Sequence, residues 1–172
     1  MAEACADRGF AEVTVTDIVK RAGVSNVTFY KQFASKRDCL LGAHEELLER
    51  LLEEMDRACA AESEREAKVR AGVRVALELL AADTPTARLL TVEVLAGGPA
   101  GMERQATAIE ALAVRLQDEG GSGAGLPNAA WARVGAMTLL VGRLVMAGEA
   151  SGLPELEDEL VAMALDSSAS DE

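Results

Sequence analysis

The chain has 172 residues, 29 acidic against 17 basic side chains and a formal net charge of -12, which is length enough for one sizeable core or for a small head on a larger body. Three cysteines without CxxC spacing and one histidine exclude a disulfide scaffold and a clustered metal site, and with no opening signal segment they predict a reduced, cytoplasmic protein. No Ser-His-Asp set, glycine-rich phosphate loop or metal-spaced cluster is present, so neither an enzyme nor a cofactor is expected.

The acidic excess is uneven along the chain. Residues 1–37 hold six basic side chains (Arg8, Lys20, Arg21, Lys31, Lys36, Arg37) and four acidic ones (Glu3, Asp7, Glu12, Asp17), a net +2, so the rest must hold -14 to reach -12 overall. Such a chain would meet an anionic partner through its head alone, with strong salt dependence. An ordinary acidic soluble protein is the plainer alternative.

Thr14 reads as a helix N-cap and Asp17 as its reciprocal partner, so a helix is predicted from Val15. Val15, Ile18, Val19 and Ala22 then form one apolar face, Gly23 ends the helix, and Ser25 caps the next after a short connection at Val24. In this second helix the spacing turns Val24, Phe29 and Phe33 inward and leaves Asn26, Val27, Thr28, Tyr30 and Lys31 outside. Asn bonds adenine in two places, an apolar side chain meets a thymine methyl, and Thr, Tyr and Lys bond phosphates. Ser35 and Asp38 repeat the capping pattern, and Lys36 and Arg37 in the following first turn suit a phosphate.

Gly9-Phe10, Thr14, Ala22-Gly23-Val24-Ser25, Thr28-Phe29-Tyr30-Lys31-Gln32-Phe33 and Ser35-Lys36 together resemble, in register, the DNA-binding head of the TetR family of transcriptional regulators. The resemblance implies an all-α protein: an N-terminal helix-turn-helix three-helix DNA-binding domain over 1–46, a helical ligand-binding and dimerisation domain over 47–166, and a tail over 167–172. It implies that Asn26, Val27 and Thr28 stand nearest the bases and that Thr14, Tyr30 and Lys36 hold phosphates, with Thr16, Ser25 and Lys31 on the same surface. The family usually has a longer helix ahead of the Gly-aromatic pair, so the helix over 1–8 is expected to be short. Val27 and Val19 stand where the family favours Gly and Ala.

From Ser35 onward Leu40, Leu41, Leu47, Leu48, Leu51, Leu52 and Met55 recur at helical spacing among Glu45, Glu46, Glu49, Glu53 and Glu54, predicting one long helix. His44 lies on it between head and body, where hinge packing is its expected role. Cys39, beside Lys36 and Arg37 at the helix start, is either a stabilised thiolate or a plain buried thiol. Further helices are predicted over 65–82, 86–96 and 101–119, then a flexible glycine-rich loop over 120–125. The most apolar segment, 127–149, is interrupted by Arg133 and Arg143, which leave too short an uncharged stretch for a membrane span. A last helix is predicted over 154–165 with Pro154 at its first position.

Gly135 and Gly142, with Thr138 and Val145 beside them, would let a partner helix approach, and Leu156, Leu160 and Met163 lie on one stripe of the last helix. Two such helices per chain can build a four-helix bundle with a symmetry mate, or else complete the monomer's own core. The resemblance implies the first, a homodimer, with the preceding helices enclosing a ligand pocket. By position Leu89, Val92, Glu93, Leu112, Leu116, Trp131, Met137 and Leu140 are pocket candidates, with core packing as the competing role of each. The expected function is a ligand-responsive repressor that releases a palindromic double-stranded DNA operator when an unknown small-molecule effector binds. The alternative is a small-molecule-binding or interaction protein of the same fold with impaired DNA binding.

Overall fold

The computed structural model describes residues 1–6, 8–118 and 128–165. They form α1 (Ala2–Ala6), α2 (Gly9–Glu12), α3 (Val15–Ala22), α4 (Asn26–Gln32), α5 (Lys36–Ala60), α6 (Arg65–Ala82) and α7 (Thr84–Thr91), then a 3-10 segment over Glu93–Gly97 and α8 (Pro99–Asp118). After them come α9 (Ala129–Ala147), a second 3-10 segment over Ala150–Leu156 and α10 (Glu157–Leu165). The fold is all-α, with no strand among the described residues. The predicted loop over 120–125 and the tail over 167–172 lie outside the described residues.

Local chemistry sets the head's boundaries. Thr14 N–H donates to Asp17 Oδ2 at 2.9 Å and Asp17 N–H donates back to Thr14 Oγ1 at 3.2 Å, which completes the capping box that opens α3. Gly23, at φ 67, closes the helix, and Val24 N–H returns to the Val19 carbonyl at 3.0 Å. This turn points Val24 outward at 42% exposure, so Val24 is not the inward residue its spacing predicted, and Ala22 is exposed as well. Ser25 and Ser35 cap α4 and α5 through the Thr28 and Asp38 amides, each at 3.1 Å.

Two predicted helices have other bounds. Asp83 caps α7 through Thr86 N–H at 3.1 Å, so that helix starts at Thr84, and its backbone leaves the α region at Val92, which turns Glu93 toward the head. Pro154 lies inside the second 3-10 segment rather than at the first position of an α-helix, and α10 begins at Glu157. Gly101 is imposed by packing: a Cβ there would stand 1.9 Å from the Val94 carbonyl oxygen.

One core joins α6, α7, α9 and α10 through Leu77, Leu80, Leu90, Val141, Val145, Leu153 and Leu160. A second holds the head together around Cys5, Phe10, Val13, Ile18, Phe29 and Leu40, and takes in Leu89 from α7. The head therefore sits on α7 and the adjoining 3-10 segment, with α5 running from it into the body.

Candidate DNA surface and ligand cavity

On the head, Ser25, Asn26, Val27, Thr28, Tyr30 and Lys31 are exposed together on the leading and outer side of α4, and Thr14 and Thr16 are exposed at the start of α3. Val27 is 67% and Tyr30 59% exposed, and beneath them Phe29 is buried, edge-on to Tyr30 with ring centroids 5.3 Å apart. Six side chains of varied bonding capacity thus stand on one rigid ledge.

Lys36 is the exception among the expected phosphate contacts. Its Nζ donates to the carbonyls of Phe10 at 2.8 Å, Ala11 at 3.3 Å and Val13 at 2.7 Å, and lies 4.4 Å from the centre of the Phe10 ring. An ammonium group has three protons, and all three here have acceptors at the end of α2, so its place in this structure is to bind the head's own backbone.

A buried carboxylate joins head to body. Gly9, at φ 76, brings the first turn of α2 against Glu93, whose Oε2 accepts from Phe10 N–H at 2.8 Å while its Oε1 accepts from Arg88 at 2.8 Å. Glu93 is 5% exposed. Expected to line a pocket, it is instead the clamp between the two parts; a buried carboxylate needs paired donors, and it finds them here.

In the body, α5, α6, α7, α8, α9 and α10 line a cavity of about 730 Å³. Of the pocket candidates, Leu112, Leu116 and Met137 line it. Leu89 is fully buried in the head core, Trp131 is 41% exposed, and Val92 and Leu140 pack against the body core without lining the cavity. The walls that position alone did not predict are Leu48, Leu51 and Met55 of α5 and Val69, Gly72 and Val73 of α6. Their signal was present: the leucine stripe of α5 continues well beyond the length the head can cover.

The cavity is apolar in its middle and polar at its ends. Asp56, Ala60 and Val114 of its lining are exposed and place the mouth there. Arg115 binds Asp56 through two bonds of 2.7 and 2.8 Å, and these hold the Asp56 carboxyl below its ordinary value. At the far end stand His44, Thr91 and Gln105. Burial lowers the His44 pKa, opposed more weakly by Gln105 and the Leu90 backbone, so the imidazole is neutral at neutral pH. His44 is therefore a cavity wall as well as packing between head and body.

The outward face of the body also differs from expectation. Gly142 packs against Thr91, and Val145 and Leu160 are 1% and 3% exposed within the monomer core, so these are not interface residues. Thr138 lines the cavity, Leu156 and Met163 pack on the core, and Gly135 is half-buried. The inner face of α9 completes the monomer, as the competing reading had it, because a helix of this apolarity fills the core first. Its outer face carries Ala132, Ala136, Leu139 at 75%, Arg143 and Met146 at 62% exposure, one stripe at helical spacing. By length and composition α9 is also the one described helix able to cross a membrane, but Arg133 and Arg143 interrupt it and its inner face is packed.

Burial pushes the Cys5 thiol up to about 11 and raises that of Cys39, which favours the plain buried thiol of the two readings of Cys39.

Residues 2–43 match the family described as bacterial regulatory proteins, tetR family. The whole fold is similar to that of the transcriptional regulator FadR from Bacillus subtilis, solved in complex with stearoyl-CoA, at 21% identity and a TM-score of 0.81 over 96% of this chain and 94% of that one. It is likewise similar to the fatty acid degradation regulator FadR from Bacillus halodurans, at 20% identity and a TM-score of 0.83 over 98% and 92%. A TetR-family transcriptional regulator from Bordetella parapertussis 12822 gives 18% identity and a TM-score of 0.70 over 99% and 93%. No curated protein matches the chain by sequence.

Proposed function

We propose, for a chain whose head belongs to the tetR family of bacterial regulatory proteins, a homodimeric cytoplasmic repressor that leaves a palindromic operator when a long-chain acyl compound fills the body cavity. One observation carries this reading: α7 presents Leu89 to the head core and Leu90 and Thr91 to the cavity, and the next turn holds Phe10 through Glu93. A ligand that displaces α7 must then move the head. It shifts the equilibrium only by as much as it prefers the released arrangement.

The class of effector follows from the lining and from the Bacillus subtilis relative, which holds stearoyl-CoA. The cavity has a long apolar body of the kind an acyl chain would fill. The stripe of Ala132, Ala136, Leu139 and Met146 on α9 would pair two chains, leaving their heads about one DNA turn apart, ~34 Å.

The test is selection of bound sequences from random DNA with the whole chain, followed by release with stearoyl-CoA. A palindromic, salt-sensitive site that is lost on adding the thioester is expected. A confirmed dimer that selects no sequence would defeat the reading. It would favour the alternative, a ligand binder with impaired DNA binding, for which the inward-turned Lys36 is the one specific support.

A further inference from the structure

The outer side of α4 is apolar where a solvated surface would be polar. Val24 is 42%, Val27 67% and Tyr30 59% exposed, and among the described residues of 1–37 these are the large apolar side chains left open. Val27 and Tyr30 are neighbours one turn apart on the helix, and Val24 stands just before its cap at Ser25. Grouped exposure of this kind marks a surface that meets something.

The polar groups beside the stripe are engaged locally. Thr28 Oγ1 lies 3.0 Å from Ser25 Oγ, which also accepts from Thr28 N–H at 3.1 Å, so both hydroxyls belong to the cap. Asn26 supplies the exposed amide of the leading turn, and that turn, Asn26-Val27-Thr28, has no arginine or lysine, the side chains that most often read guanine. An isopropyl group forms no hydrogen bond, and in the major groove its apolar match is the C5 methyl that thymine carries. An amide pairs in two places with adenine. The head's net +2 against the acidic remainder of the chain turns this face, rather than the body, toward DNA.

We propose that Val27 reads a thymine methyl and that, with Asn26 on adenine, it makes the operator half-site a run of A·T pairs where α4 meets it. This deepens the reading of the head as the DNA-binding surface and rests on it.

The experiment takes the site that the whole chain selects from random DNA and replaces its thymines one at a time by deoxyuridine, which keeps every hydrogen bond and removes only the methyl. Burial of a methyl-sized group contributes about 0.8 kcal/mol, so binding should weaken roughly fourfold for each contacted methyl removed. Val27→Ala, at an exposed position where the fold does not depend on the side chain, should bind the thymine and deoxyuridine sites alike. Asn26→Ala should keep the difference between them. A selected half-site built of G·C pairs, a site that deoxyuridine weakens at no position, or a methyl dependence unchanged in Val27→Ala would each overturn the proposal while leaving DNA binding standing. A confirmed dimer that selects no sequence would remove the DNA-binding reading, and this proposal with it.

Discussion

Lys36 shows how one side chain can hold a place in a motif and do different work there. Position alone assigns it to a phosphate, but its three protons are taken by the Phe10, Ala11 and Val13 carbonyls. Lys36→Ala should therefore destabilise the head by roughly 1–3 kcal/mol, since bonds to charged donors are worth more than neutral ones. The readout is thermal unfolding without DNA; an unchanged melting temperature with weakened DNA binding would restore the phosphate role. Asn26, exposed at the front of α4, should behave oppositely. Asn26→Ala should leave stability alone and relax the operator preference at one base pair, by about 1–3 kcal/mol in binding competitions between operator variants. At this scale the caps at Thr14, Ser25 and Ser35 were legible because capping is a local bond between residues three apart. Lys36 and Glu93 were not, since their partners lie 23 to 26 and 83 residues away.

Among elements, the junction of α2 with the 3-10 segment after α7 is the hinge on which the proposed response turns. Glu93→Ala removes the acceptor of Phe10 N–H and leaves Arg88 without its carboxylate. A loss of about 1–3 kcal/mol is expected, with hydrogen exchange rising first in α2 and α3; uniform protection across head and body would show that the clamp is not the coupling. A second junction ties α10 to α6. Arg74 and Arg70 hold the Glu157 carboxyl at about 2, and their bonds to it run 2.8 to 3.2 Å. Because the folded pKa lies below the ordinary value, this contribution is present above about pH 4.5 and is lost as the pH falls toward 2. Glu157→Gln should thus melt below the wild type at pH 7, and the two curves should converge in acid. The helices themselves were readable from periodicity, but the break at Val92 and the 3-10 course through Pro154 depend on neighbours and were not.

Across the whole molecule, the remaining question is what covers α9. Its inner face is spent on the core, and the outer stripe leaves Leu139 three-quarters exposed. If this face pairs two chains, Leu139→Glu should give monomers by light scattering and abolish operator binding while the melting of the monomer stays intact. A dimer that survives this substitution would place the interface elsewhere. The charge division belongs to this scale too, because an acidic body behind a +2 head limits DNA approach to one face.

Taken by itself, the chain determined the all-α fold, the capped helix-turn-helix and the exposed outer side of α4, because these rest on hydrogen bonds and periodicities within a few residues. Only the tertiary structure decided which apolar side chains line a cavity, which complete the core and which face outward on α9. All three populations share the same helical spacing, and they differ only in what packs against them. It also turned Lys36 and Glu93 into the bonds that seat the head.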